Sequence, residues 1–528
     1  MNSLWDRLSL ALLLFVGLLI AITFRDYGLS WDEPFHIEYG ERLLRYYASW
    51  GSDTAAFDYI NLYFYGGLFD TPVALLSHWL PFDLIDNRHL LIASSGVLGI
   101  IGTWRLAHLL AGSRAAFFTA LLLVTMPDWH GHMFINPKDI PFATTMIWAS
   151  YFLARLAMQL PRPAWRDAVL FGLCAGMAMG MRIGGVLIFA YLGAMLGLWF
   201  AVTLIQQRNL AALLHSALRL LPKLLAASAI AYLVMIVAWP WALSSPLRHP
   251  FEAFTTFSHF PVTIPVLVNG EWIPSDQLPL YYLPLMIGVK MPLLHLLLLL
   301  ALIPLAAITL TRLKRHPQDQ RWLAWSVPLI ALLLPITYVL VSRPALYNEM
   351  RHFLFLLPPL AVLMGVAAEL LWQQLRQRSR ALHTTIVIAA AIALASEVVE
   401  MARLHPYEYV SYNGVVGGVA GAELRFELDY WSTSQKELYA TLKQRLLTEG
   451  GESALHQPWR IHLCGAPEAA LYYLEKEWRP IWIGDTDEAD FEVGITSHAC
   501  LPPRLPATIE VRRDGALLGY VNDLRPHP

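Results

Sequence analysis

Long apolar stretches alternating with short basic clusters run through the first 400 residues, and this alternation constrains the fold more than any other feature. A hydrocarbon core about 30 Å thick takes roughly 20 helical residues to cross. Candidate spans lie near 8–24, 89–110, 115–128, 140–158, 168–181, 184–205, 224–243, 283–310, 322–341, 352–372 and 383–400. Composition agrees: 56% of residues are hydrophobic and only 15% charged, where a soluble chain carries about 25% charged residues. An all-α polytopic membrane protein with about 11 transmembrane helices is therefore expected, with the lipid bilayer as its surroundings. The formal net charge of −2 supplies no basic field for nucleic acid.

The loops give an orientation. Arg105 and Arg114, then Arg155, Arg162 and Arg166, then Arg208, Arg219 and Lys223 follow the second, fourth and sixth stretches. Arg312, Lys314, Arg315 and Arg321 follow the eighth, and Arg376, Arg378 and Arg380 the tenth, with few acids beside them (Asp167, Asp319). The positive-inside rule makes these loops cytoplasmic, together with the N-terminus. The stretch Leu8–Phe24 lacks a small-x-small cleavage site and reads as a retained first span. Nothing in the closing Leu524-Arg525-Pro526-His527-Pro528 resembles a eukaryotic retention signal, so a bacterial inner membrane is expected.

The alternate loops face outward, and two are long, 25–88 and 244–282. The first carries an amphipathic stretch, Ile37–Trp50, suited to the membrane–water interface. Beyond about 400 the character changes: residues 401–528 hold 12 basic and 18 acidic side chains. The expected division is a membrane domain, 1–400, and a small extracytoplasmic α/β domain, 401–528. In the latter, helices near 435–449 and Pro467–Trp478, a strand at Arg460–Cys464 and a hairpin turning at Asp514-Gly515 are expected. Cys464 and Cys500 there are either a disulfide, as an oxidising side allows, or two free buried thiols.

Chemistry concentrates in the outward loops. Ser30-Trp31-Asp32-Glu33-Pro34-Phe35-His36 follows the first span, and adjacent carboxylates at a membrane surface are costly to desolvate. Either they are solvated acids at a helix end, or one is a general base for an acceptor hydroxyl or amine while the other orients a substrate. The second outward loop contains Asn136-Pro137-Lys138-Asp139. Asp139 is a further candidate carboxylate and Lys138 a candidate phosphate partner, although Asn136-Pro137 and Asp139 also read as helix caps. Asp128, His130 and His132 lack the i, i+4 spacing of a helical metal site, so no metal ligands and no cofactor are assigned, and a loosely bound divalent cation stays open. Tyr347-Asn348-Glu349-Met350-Arg351-His352 precedes the tenth span. Arg351 there is either a snorkelling anchor or a fixed donor for a phosphate at the bilayer boundary. Lys290 lies inside an apolar run, where burial demands an anionic partner unless the span begins after it.

Together these residues resemble the GT-C class of membrane glycosyltransferases. They look most like the branch containing protein O-mannosyltransferases and lipid A aminoarabinose transferases, the glycosyltransferase family 39 type. The class carries an acidic pair in the first outward loop, matched by Asp32-Glu33, and often a carboxylate in the second, matched by Asp139. A late segment is matched by Arg351-His352-Phe353-Leu354-Phe355-Leu356-Leu357-Pro358. Past the last span, Tyr407-Glu408-Tyr409-Val410-Ser411-Tyr412-Asn413, Gly417-Gly418, Gly421-Ala422 and Phe426-Glu427-Leu428-Asp429-Tyr430-Trp431 resemble bacterial and archaeal relatives; the motif either borders the acceptor site or docks the tail.

The resemblance implies a GT-C-like fold and inverting transfer of a hexosyl or pentosyl group from a polyprenyl-phosphate-linked sugar donor, on the outer face. Asp32 would be the base, with Glu33 and Asp139 positioning substrates. Lys138, Lys290, Arg351 and His352 would meet the lipid phosphate, and His36, Tyr347 and Asn348 the acceptor. The chain shows no lectin-like luminal domain and no motif selecting a lipid A acceptor, so protein, lipid and glycan acceptors all stay open. A flippase for an amphipathic lipid, or a ligase or polymerase of lipid-linked glycans, is the competing class. The crowding of unusual charges on one side argues against a transport pathway, which places them near the midplane in repeated halves.

Overall fold

The computed structural model describes residues 3–258, 263–313, 321–482, 488–496, 500 and 507–525, with 258 and 304–313 in backbone only. Lys314, Arg315 and Asp319 of the eighth-span loop, and Pro526–Pro528, lie outside the described residues.

The first apolar stretch forms the helix Leu4–Thr23, opened by Ser3, whose hydroxyl accepts from the Asp6 amide at 3.2 Å. The second stretch and most of the third fall within Leu84–Val124, while the end of the third, Pro127 and Asp128, opens the separate helix Pro127–Ile135. The 41 residues of Leu84–Val124 are interrupted at Gly112, φ 83°. An unbroken helix of that length would run about 60 Å, twice the hydrocarbon thickness. Instead the chain turns back. His108 lies 3.6 Å from Asp6 and Phe117 5.6 Å from Trp5, at the start of the first helix. Phe82 and Phe134, on either side of the hairpin, lie by Phe24 and Tyr27 at its other end. At the crossing with the helix Leu357–Arg378, Gly365 leaves room for Thr119, where any β-carbon would collide.

Seven helices among the described residues are long and apolar enough to cross a membrane. The expected number of eleven is not reproduced by length and apolarity alone. Helices Asp139–Gln159 and Trp165–Met181 stand where spans were expected but fall short of that measure. The stretch 283–310 breaks into Tyr282–Lys290 and Leu293–Leu313, because Pro292 cannot donate a helical hydrogen bond. Apolar side chains such as Leu14, Leu18, Leu225, Leu233, Leu333 and Ile392 point outward from mid-helix, as a lipid-facing surface requires.

The tail packs a helix, Gln435–Leu455, against a five-stranded sheet. Its strands lie in the spatial order Arg479–Ile481, Arg460–Cys464, Phe491–Ile495, Ala516–Asp523 and Ile509–Arg513. The first three are parallel and the last two pair antiparallel, around a hairpin with Asp514 and Gly515 both left-handed. The expected helix Pro467–Trp478 is shorter, ending at Leu471. Beyond it Trp478 donates to the Leu455 carbonyl at 2.8 Å and Glu475 pairs with Lys443, which hold the segment in a non-helical path.

Cys464 and Cys500 are joined in a disulfide. Replacing both by alanine should cost the tail about 2–5 kcal/mol. Thermal unfolding of the oxidised and doubly substituted proteins checks this, and equal midpoints would show that the sheet is held without the bridge.

Candidate active site

Three loops meet at one end of the helical bundle. In the first, Asp32 stands immediately before the helix Glu33–Ala48, and the His36 amide donates to its carbonyl at 3.1 Å. Asp32 and His36 therefore face the same way, one turn apart. In the second, the short helix Pro127–Ile135 ends at Asn136, whose side-chain oxygen accepts from the amides of Lys138 (3.2 Å) and Asp139 (2.8 Å). Asn136 thus opens the next helix by an Asx turn, and the Asp139 carboxylate is left to pair with Arg182. In the third, Asn348 and Glu349 are consecutive left-handed residues, φ 55° and 56°. Asparagine tolerates that conformation, while glutamate is strained by about 1–2 kcal/mol. Glu349 is held there by the Tyr412 hydroxyl, by Lys290 at 2.6 Å and through its amide by Tyr282.

The loops converge on charge. Asp32 accepts from Lys138 Nζ at 3.2 Å and pairs with Arg351, whose Nε lies 3.5 Å from Asp139. Burial acts to raise the Asp32 pKa, but the positive charges of Arg351 and Lys138 outweigh it and hold the carboxyl below the ordinary range. A cavity of about 440 Å³ opens beside this cluster.

Of the ten residues expected from sequence, Asp32, His36, Lys138, Tyr347, Asn348 and Arg351 line the cavity. Glu33, Asp139, Lys290 and His352 do not. Glu33 points inward, accepting from the Ser30 amide at 2.8 Å and lying 3.3 Å from His89. Asp139 stands behind Arg351. His352 packs its ring edge-on against Tyr347, 4.5 Å between centroids. Lys290 is buried, donating to the Tyr409 carbonyl at 2.6 Å and pairing with Glu349 and with Asp128 at 3.3 Å. Its anionic partners are protein carboxylates. Asp128 and His132 have separate partners, Lys290 for the first and Tyr430 (3.0 Å) for the second.

Further residues complete the site. Arg182, between the helices Trp165–Met181 and Leu187–Gln207, pairs with Asp139. Asp70 holds His36 Nδ1 at 2.9 Å with Arg88 behind it at 3.6 Å, and no local pattern links these three. Tyr65 lies beneath the Lys138 ammonium, 4.9 Å away.

The tail motif closes the site. His405 bonds Asp26 (2.9 Å), Glu408 accepts from Tyr27 (3.1 Å), Tyr473 accepts from the Leu29 amide (2.7 Å), and the Trp431 carbonyl from the Trp31 amide (2.9 Å). Gly28 lets the Thr433 carbonyl approach where a β-carbon would stand. The loop carrying Asp32 is thus moulded by the tail.

A helical membrane bundle with a charged cavity at one end, capped by a small α/β tail, is a GT-C-like fold, and the comparisons with known proteins agree with it. A family model described as dolichyl-phosphate-mannose-protein mannosyltransferase matches residues 89–241. The structure is similar to ArnT from Cupriavidus metallidurans bound to undecaprenyl phosphate, with 16% identity, a TM-score of 0.51, and coverage of 99% of this chain and 98% of that one. It is similar also to the apo state of the same enzyme, at 17% identity and a TM-score of 0.50, covering 98% of each chain. The oligosaccharyltransferase of Archaeoglobus fulgidus tethered to an acceptor peptide matches at 12% identity and a TM-score of 0.49, over 93% of this chain and 65% of that one. No curated protein matches the chain in sequence.

Proposed function

We propose that the chain transfers a monosaccharide from a polyprenyl-phosphate carrier to an extracytoplasmic acceptor, with inversion, in a bacterial inner membrane. The observation that carries this reading is the meeting of Asp32, Lys138 and Arg351, from three separate loops, on one cavity. Carrier binding by the similar ArnT structure supports the choice of donor.

In this reading Lys138 and Arg351 hold the phosphate and stabilise the charge that develops on it. The acceptor hydroxyl or amine attacks the anomeric carbon, and the bond from that carbon to the phosphate oxygen breaks. The electron pair leaves with the phosphate, and the acceptor's proton passes to Asp32. Asp139 and Arg182 orient Arg351 from behind. His36 presents its ring to the same cavity, fixed by Asp70, and meets the acceptor along with Tyr347 and Asn348.

The test is transfer from a panel of radiolabelled polyprenyl-monophosphate sugars by purified protein in vesicles, paired with binding of undecaprenyl phosphate. Label should reach an acceptor, and Arg351→Ala should weaken undecaprenyl phosphate binding by about 10- to 100-fold, the worth of a charge-assisted hydrogen bond. Carrier crossing the vesicle membrane with no sugar transferred would establish a flippase instead.

A further inference from the structure

Trp431 touches all three loops that build the cavity. It is fully buried at the tip of a chain reversal, in which Asp429 accepts from the amides of Thr433 and Ser434, both at 3.0 Å, and Ser432 is left-handed at φ 63°. From there its indole face lies 4.2 Å from the Arg351 guanidinium carbon. The indole N–H donates to His132 Nδ1 at 3.3 Å. Asn136 Nδ2 donates to the same nitrogen at 3.3 Å and to Asp139 at 3.1 Å. The Trp431 carbonyl receives the Trp31 amide beside Asp32.

We infer that Trp431, contributed by the tail, is the positioning residue that sets Arg351 and the Asn136–Asp139 turn in register with Asp32. The physical reason is directional. Asp32 and Asp139 attract the Arg351 guanidinium; Tyr347 borders it at 5.9 Å, and the nearer Trp431 face, at 4.2 Å, fixes the plane in which its donors point. The N–H fixes the second loop by a different route, occupying the His132 nitrogen that Asn136 shares. Ring and N–H are therefore separable functions of one side chain. A residue serving only as core filler would need neither.

What the positioned groups hold rests on the donor reading above, so the experiment has one arm that needs it and one that does not. The full chain in detergent is compared with Trp431→Leu, which loses ring and N–H, and Trp431→Phe, which keeps a ring. Amide hydrogen exchange is followed by mass spectrometry, and undecaprenyl phosphate binding is measured in parallel. In Trp431→Leu, exchange should rise in 132–139 and in 347–352. In Trp431→Phe it should rise in 132–139 alone. Peptides covering Leu29 and Trp31 should hold their protection in both, because their partners are the Tyr473 hydroxyl and the Trp431 carbonyl. Undecaprenyl phosphate binding should weaken about tenfold in Trp431→Leu and less than about threefold in Trp431→Phe, as a desolvated cation–π contact implies.

Unchanged exchange at 347–352 in Trp431→Leu, or the same diffuse rise through the tail sheet in both variants, would overturn the inference and leave packing alone. Should Trp431→Leu fail to fold, Trp431→Phe decides: a rise confined to 132–139 supports positioning, and no rise there overturns it. Wild-type protein that binds no undecaprenyl phosphate would remove the donor reading, while the exchange pattern still judges Trp431.

Discussion

Asp32→Asn should lower sugar transfer by about 10²–10⁴-fold, the range a positioned general base supplies, while undecaprenyl phosphate binds more tightly than to wild type. The opposed signs follow from one geometry. Asp32 lies 3.2 Å from Lys138 and pairs with Arg351, so the carboxylate competes with the lipid phosphate for the same two cations. An amide of equal shape gives up that competition and the proton-accepting role together. In the proposed mechanism, the same competition gives a carboxylate held below its ordinary range a route to acting as a base. A phosphate engaging Lys138 and Arg351 would share their charge, so Asp32 would grow more basic as the acceptor arrives. In the free enzyme, Asp32 stays ionised throughout the neutral range, so the acid limb of the kcat/KM profile should not arise from it. Loss of transfer with weaker carrier binding would reassign Asp32 to holding the phosphate site together, and unchanged transfer would remove it as the base.

The sequence made the membrane class and the charged end legible because both are written locally. Apolar runs declare spans through composition, and Asp32, Lys138 and Arg351 each stand just outside one. The Asp-Glu pair was misleading as a unit. Successive residues of a helix point about 100° apart, so Asp32 faces the cavity while Glu33 turns to Ser30 and His89. Lys290 declared its need for an anion, but Asp128 and Glu349 lie far along the chain, and only the fold brings them to it. Asp139 read equally as cap and carboxylate; Asn136 performs the capping and frees Asp139 for Arg182. The motif around Tyr409, Tyr412 and Trp431 was visible as a motif, yet its work is contact with other loops, which no local spacing encodes. The turn at Gly112 and the break at Pro292 were hidden for the opposite reason: hydropathy continues through both.

Lys290→Met should be strongly destabilising, costing about 3–5 kcal/mol, the expected result of removing one partner from a buried ionic cluster. The side chain is fully enclosed, with Glu349 at 2.6 Å, Asp128 at 3.3 Å and the Tyr409 carbonyl at 2.6 Å. Methionine fills the space and leaves both carboxylates without a cation. Glu349 is the sensitive member. Burial pushes its pKa up to about 7 even though Lys290 lowers it, so without the lysine it must rise further. A carboxyl raised above its unfolded value contributes stability that is fully present below the unfolded pKa and is lost as pH rises through the folded one. The deficit of Lys290→Met should therefore be larger at pH 8 than at pH 5, and thermal unfolding across that interval checks it. Adding Glu349→Gln should recover part of the loss, since the amide still accepts from Tyr412 and carries no charge to desolvate. A deficit that is independent of pH, or is not relieved by Glu349→Gln, would mean that Lys290 acts through the Tyr409 carbonyl. Its cost would then be that of a lost anchor for the tail motif, with no part in balancing the two acids.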